Sequence, residues 1–311
     1  MQFRTELQIK NLGLSIDHEH KIMLMGSCFT EHIATSLDRF RFQVFSNSHG
    51  IIFHPIPLAN ALNDLISAKN YDVKNLMENN GNWISLNHHG KFSSSEASET
   101  LNRINASIQE GHRFLKESST LLVTFGTAIG YTTDSHDGVV ANCHKLDGKF
   151  FQKRRSTVSE LTSVWKQTIQ TLVDFNTTIK VVFTVSPVRH LREGFEENQK
   201  SKATLLLAIE ELCSMFPDTI KYFPSYELMM DDLRDYRFYE SDMIHPNAQA
   251  IEYIRLKFFG AAMSLPTLRR CDEMESHIRR IEHRGINETN EQKERRITEA
   301  NEAIRTILLK S

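Results

Sequence analysis

Ile22-Met23-Leu24-Met25-Gly26-Ser27-Cys28-Phe29-Thr30 changes its apolar period at Gly26. Residues 22–26 form a short unbroken apolar run, the pattern of a buried strand, and from Phe29 the apolar positions Phe29, Ile33 and Leu37 recur at helical spacing. Ser27 therefore sits at a strand-to-helix turn, where Gly26 permits a tight backbone. A hydroxyl at this point stands at the carboxyl end of a strand and near a helix N-terminus, whose unpaired N–H groups can stabilise an oxyanion. Ser is also a favoured N-cap, and capping alone accounts for it equally well.

Outward from that run the same alternation continues. Strand patterns fall at 42–46, 121–125, 179–185 and 219–223, and helical patterns near 28–38, 56–68, 99–117, 157–175, 198–215 and 246–259. Thr157-Val158-Ser159-Glu160 has the form of a capping box, and Pro246 suits the first turn of the last helix. This order predicts a parallel sheet covered by helices on both faces. Ligands of such sheets bind beyond the carboxyl ends of the strands, at a topological switch point. Ser27, Gly126-Thr127 and Ser186 through His190 each follow a strand and are expected on that edge.

Far downstream, Asp242-Met243-Ile244-His245-Pro246 precedes the last of these helices. A serine needs an imidazole to take its proton and a third group to orient that imidazole, and an Asp three residues before a His can orient it from one loop. The competing reading is a cap or turn carboxylate.

Taken together, these segments resemble the bacterial GSCFA-domain family, whose naming pentapeptide appears here as Gly26-Ser27-Cys28-Phe29-Thr30. Further segments carry the resemblance: Asn142-Cys143-His144-Lys145, Ser186-Pro187-Val188-Arg189-His190, Asn198 with Ser201-Lys202-Ala203, Tyr222 through Glu227, and Leu233 through Tyr239 followed by Asp242 to Pro246. That family in turn is similar to the SGNH hydrolases, esterases and acyl-processing enzymes with an early Ser and a late D-x-x-H. The resemblance implies a flavodoxin-like, SGNH-type three-layer α/β fold, with Ser27 as nucleophile, His245 as base and Asp242 as its orienter. Two features depart from the SGNH pattern: no Asp stands between Gly26 and Ser27, and Phe125-Gly126-Thr127-Ala128 occupies the place of the late G-x-N-D.

For the oxyanion, the N–H of Ser27 is joined by Gly50, which follows the second strand where related hydrolases place a donor glycine, and by Asn142, whose amide can replace the missing late Asn. A plain turn accounts for either residue as well. Gly126, Thr127, Lys145, Ser186, Arg189 and His190 are the candidate substrate-binding residues. Arg189 and Lys145 suit a carboxylate or phosphate, or else pair with Asp235 or Glu227. His190 is the rival base, without an adjacent carboxylate. Cys28 is the rival nucleophile, set aside because the strand-end position is expected to be the better exposed. Cys28, Cys143, His144 and His245 have no spacing of a compact metal motif, so no metal and no cofactor are expected.

At 311 residues and a formal charge of −2, the chain can form one sizeable core and gives no electrostatic reason to expect nucleic acid or an acidic membrane. The N-terminus carries charges of both signs before any apolar run, and no segment approaches the length of a membrane span. Four scattered cysteines without C-x-x-C pairs fit a reducing compartment, so the expectation is cytoplasmic. The expected organisation is a domain over 1–264, with a polar lid or insertion at 72–98, and a charged helical extension over 265–311. Ile278, Ile281, Ile297, Ile304 and Leu308 are spaced for one or two helices, broken near Gly285-Ile286-Asn287, that pack on the domain, pair with another copy in a homo-oligomer, or stand solvated. The functional expectation is an ester hydrolase or acyltransferase for a small or glycan-like acyl ester. The alternative is a non-catalytic carbohydrate or small-ligand binding protein.

Overall fold

A computed structural model describes residues 4–283 and 288–309. The chain runs β1 (Lys21–Gly26), α1 (Cys28–Arg39), β2 (Gln43–Ser46), α2 (Pro55–Ile66), β3 (Met77–Asn79), β4 (Asn82–Ile84), α3 (Ala97–Glu117), β5 (Ser118–Phe125), β6 (Ile129–Thr133), β7 (His136–Val139) and β8 (Gln152–Arg155). It continues through α4 (Val158–Phe175), β9 (Lys180–Val185), α5 (Gly194–Met215), β10 (Ile220–Phe223), the single turn α6 (Ser225–Glu227), α7 (Ala248–Ala262), α8 (Leu265–Glu282) and α9 (Asn290–Leu309).

Five strands form one wholly parallel sheet in the order β10-β9-β5-β1-β2. Counted along the chain among themselves this is the 2-1-3-4-5 order of a flavodoxin-like fold, with its switch point between β1 and β5. The sheet is buried on both faces, so its strands carry apolar side chains at successive positions. Met23, Met25, Leu121, Val123, Val181 and Phe183 turn to a core shared with α2, α3, α4 and α5. Ile22, Leu24, Leu122 and Val182 turn to a second core with α1, α7, α8 and α9.

The C-terminal helices belong to that second core. Cys271, Met274, Ile278, Ile304 and Ile307 are buried against α1 and α7, and Arg39 of α1 is held by Glu275 and Glu282 of α8. The apolar stripe thus packs on its own domain. The break expected at Gly285-Ile286-Asn287 lies outside the described residues.

Two pieces of the inserted lobe were not both expected. The stretch 72–98 contains the antiparallel hairpin β3–β4, with Ser85, His88 and Phe92 buried, and His88 stacks on His49 at 4.5 Å. Residues 129–155, which carried no strand expectation, form a second antiparallel sheet in the order β7-β6-β8, tied to the first piece where Ala141 N–H donates to Leu86 O. The capping box at Thr157 and Glu160 forms as expected. Pro246 does not open α7: Asn247 is the cap, accepting from Ala250 N–H, and Pro246 lies outside the helix.

At the switch point Gly26 has φ +144°, and a Cβ there would lie 2.4 Å from Thr124 O and 2.8 Å from Thr30 Oγ1. We expect Gly26→Ala to destabilise the fold by ~2–4 kcal/mol, combining backbone strain with overpacking. A lowered urea midpoint at unchanged m-value checks it.

Candidate active site

Beyond the carboxyl end of β1 the chain turns tightly. Gly26 N–H donates to Asn47 Oδ1 at 2.9 Å, Gly26 O accepts from Ile52 N–H at 3.0 Å, and α1 begins at Cys28. Ser27 holds the N-cap position with extended backbone, yet its hydroxyl caps nothing. It has no exposed surface, and its Oγ finds no hydrogen-bond partner among the described residues. The hydroxyls of Thr30 and Thr124, also fully buried, are likewise unpartnered among the described residues. The expectation that Ser27 is better exposed than Cys28 is therefore corrected. Ser27 has no exposed surface, while Cys28 is partly exposed.

Asp242 and His245 form a pair. His245 Nδ1 and Asp242 Oδ2 are 2.7 Å apart, and Asp242 Oδ1 also accepts the N–H groups of Ile244 (2.8 Å) and His245 (3.0 Å). The loop closes this way because Met243 adopts φ +58°, an uncommon conformation for such a residue, and because Glu240 N–H donates to His245 O. The His245 N–H, then its imidazole and the Ile244 N–H, hold the Asp242 carboxyl low, at about 2. Both side chains remain nearly half exposed, 45% for Asp242 and 46% for His245.

Arg189 N–H donates to Ile244 O at 3.3 Å, which fastens this loop to the chain leaving β9. Burial, followed by the charges of Lys202 and His245, pushes the His190 imidazole down to about 3. His32, one turn beyond Cys28 on α1, is lowered by desolvation and by His245 as well. His245 is thus within electrostatic reach of the loop after β9 and of the first turns of α1. The loop thus meets the chain just beyond the carboxyl end of β9, the same side of the parallel sheet on which β1 runs into α1.

The sequence model of the GSCFA family matches residues 21–258. The chain belongs to the GSCFA family. No curated protein matches it. Among solved structures, it is similar to a GDSL-like lipase described as putative from Parabacteroides merdae, with TM-score 0.42 and 12% identity over 81% of this chain and 98% of the other. A carbohydrate esterase family 3 protein from Talaromyces cellulolyticus matches with TM-score 0.38 and 7% identity over 77% and 94%. An acetyl xylan esterase from the rumen bacterium Butyrivibrio proteoclasticus matches with TM-score 0.39 and 8% identity over 78% and 63%. Likeness this distant carries no chemistry, which has to come from the atoms of the GSCFA domain itself.

Several of the other expected site residues prove structural. Gly50 has φ +82° and spends its N–H on Asn47 O at 2.7 Å, so it has no donor left for an oxyanion. A side chain there would collide with His89, whose Cβ stands 2.2 Å from a built Cβ. Ser186 is fully buried and accepts from Val188 N–H, and Gly126 is buried too, so neither can touch a substrate. Arg189 pairs with neither Asp235 nor Glu227; its guanidinium lies over the rings of Tyr239 (4.2 Å) and Tyr236 (5.2 Å). Lys145 is exposed in a turn of positive φ. Thr127, Asn142 and His190 line one cleft of about 340 Å³ with Phe53, Ile129 and Tyr131. Asn142 Oδ1 accepts from His144 N–H at 2.7 Å, as a turn former does. A larger polar cleft of about 630 Å³, lined by Asp64 and Asn87, includes no candidate site residue. Among the described residues no three His, Cys, Asp or Glu side chains gather as a metal set, and no helix is long and apolar enough to cross a membrane.

The residue missed by sequence is Lys202. It is 1% exposed, and its Nζ donates to Gly126 O at 2.8 Å and Ser186 O at 2.7 Å, bridging the ends of β5 and β9. Asn198 and Ser201 brace the same strand ends. Asn198 accepts from His190 N–H, and Ser201 Oγ meets Thr127 Oγ1 and Ala128 N–H. The available signal was their i, i+3, i+4 spacing on a face that continues into Leu205 and Ile209.

Burial pushes the Lys202 amine down to about 7, with the Cys28 thiolate acting in the opposite sense. Below that pH the lysine is charged in both the folded and the unfolded state, and the burial penalty is constant. Between about 7 and the ordinary lysine value of about 10.4 the unfolded chain binds the extra proton, so stability rises with pH. We expect Lys202→Met to lack that rise, which amounts to at most ~1.4 kcal/mol per pH unit. Urea denaturation of both proteins from pH 7 to 9.5 checks it.

Proposed function

We infer that this GSCFA domain is an ester hydrolase or acyltransferase acting through an acyl-enzyme on an acyl ester of a small or glycan-like molecule. One observation carries the reading: an exposed imidazole whose Nδ1 is fixed by a carboxylate at 2.7 Å, on a loop fastened to the chain leaving β9. A surface carboxylate used only as a cap would have no need of the ring. Asp242 accepts two backbone N–H groups and the imidazole together, which sets the tautomer with its proton on Nδ1 and leaves Nε2 as the base. The base takes the proton of a nucleophile at the β1–α1 junction, to which the sequence assigned Ser27. The N–H groups at the start of α1 receive the oxyanion. The cleft beside His190, with Phe53, Ile129 and Tyr131, offers an apolar wall for the ester. Water as acceptor makes the enzyme an esterase, and a sugar hydroxyl makes it a transferase. No cofactor takes part.

One observation favours a second reading, a binding protein that holds a small carbohydrate in the same cleft: the Ser27 hydroxyl is sealed. Turnover of p-nitrophenyl acetate separates the two. We expect His245→Ala and Asp242→Asn to lower kcat/KM by ~10²–10⁴-fold while the melting temperature stays close to that of the parent, because both side chains are exposed. No turnover in the folded parent favours the binding reading, and unchanged turnover in His245→Ala removes His245 as the base.

A further inference from the structure

The inserted lobe, which the acyl-transfer reading leaves unused, forms the polar cleft of about 630 Å³ with α2. Asn60, Asn63 and Asp64 of α2 line it together with Asn75, Asn87 and Asp137 of the lobe. A second cleft, of about 460 Å³, adjoins it at Met77, Leu86 and Ser135 and has Phe150 and Phe151 in its wall. Neither shares a residue with the cleft beside His190, and neither contains Asp242 or His245.

We propose that these adjoining clefts are a second binding site, one that takes a neutral oligosaccharide. The polar cleft is rich in carboxamides, and the hydrogen bonds they already make leave a mixed set of groups over. Asn75 Oδ1 accepts from Asp72 N–H at 2.9 Å, and Asn87 Oδ1 meets His136 Nε2 at 2.8 Å, so both keep their amino groups as donors. Asn63 has spent its amino group on Thr168 Oγ1 at 3.2 Å and keeps its oxygen as an acceptor, while Asn60 is exposed. A sugar hydroxyl both donates and accepts, so a ring bearing several of them matches such a set, whereas an anion needs donors alone.

Charge on the walls is already balanced. Lys69 Nζ stands 3.1 Å from Asp64 Oδ1, and Lys149 Nζ 3.1 Å from Asp147 Oδ2. Of the other charges on the walls, Lys74 is set against Asp134 and Asp137, so a carboxylate or phosphate gains little here. Asp64 is 8% exposed and firmly held: Tyr71 OH donates to its Oδ2 at 2.6 Å, and His49 Nε2 is 3.2 Å from the same atom. A carboxylate fixed in this way is a preorganised acceptor that loses little side-chain freedom on binding. In the adjoining cleft Phe150 is 57% exposed, and Phe151 is braced edge-on by Tyr131 at 6.3 Å. A pyranose turns its C–H groups to the electron-rich face of an aromatic ring and keeps its hydroxyls for polar partners. A carboxamide cleft joined to an aromatic one suits a chain of such rings.

The test is calorimetric titration of the full-length protein with cellohexaose, xylohexaose, mannohexaose and N-acetylchitohexaose, with hexagalacturonate as the anionic comparison. We expect at least one neutral hexasaccharide to bind with a Kd of about 1 mM or tighter, and hexagalacturonate to bind at least ~10-fold more weakly. Asn60→Ala and Phe150→Ala, at exposed positions and checked for native melting, should each weaken that binding at least ~10-fold, while Phe53→Ala in the cleft beside His190 leaves it unchanged. The proposal is overturned by absence of binding with all four neutral sugars, by tightest binding of hexagalacturonate, or by binding that falls in Phe53→Ala and survives in both lobe variants. The readout is binding and not ester turnover, so the proposal stands or falls apart from the acyl-transfer reading.

Discussion

The carbonyls of Gly126 and Ser186 lie past the ends of two neighbouring strands, β5 and β9, and the amine of Lys202 reaches both from beneath. Buried carbonyls left unpaired are costly, and so is a buried ammonium. The two hydrogen bonds pair both carbonyls at once, and loss of the proton as pH rises past about 7 removes the cost of the buried charge. Burial is what lowers the basicity of Lys202, and the two carbonyls give its N–H groups their acceptors. The cross-tie also sets the level of the site. It fixes where the chain after β5 and the chain after β9 turn, and the second of these carries the N–H of Arg189 that fastens the Asp242–His245 loop.

Above this floor the polar groups divide into those that complete the fold and those that remain free to react. Ser186, Gly126, Gly50 and Ser27 belong to the first set by burial or by hydrogen bonds already made. Asp242 and His245 stay nearly half exposed, and Cys28 partly so. The loop of Asp242 keeps Met243 at positive φ, a conformation that side chains seldom adopt and that persists only where surrounding bonds require it. Those bonds converge on a single carboxylate, and their effect is to point an imidazole in one tautomer.

Much of the architecture was legible because strand and helix periods differ. All five strands of the parallel sheet and the helices between them were visible as apolar runs and as residues recurring every third or fourth position. The antiparallel pieces were not. Gln152-Lys153-Arg154-Arg155 of β8 is exposed along its whole length, and β7 holds Asp137 and Gly138 in the open, so neither shows an apolar alternation. Their strand character comes from backbone pairing to β6, which no local pattern records. At the site, the Asp-x-x-His pair was legible since both partners lie within one turn of chain. Gly50 was misread because a glycine suited to a donor and a glycine required by positive φ look the same in sequence.

The sequence by itself determined the layers of the sheet and the partnership of Asp242 with His245. Each follows from periodicity or from short spacing. Tertiary structure alone decided which of two adjacent residues, Ser27 or Cys28, meets solvent. The direction of a side chain at a strand-to-helix turn is set by how tightly β1 lies against β5 and by where α1 starts. Neither is a property of the residues themselves. It also decided that Lys202 ties the ends of β5 and β9 together, because only the packing of α5 against the sheet brings an amine to two strand ends.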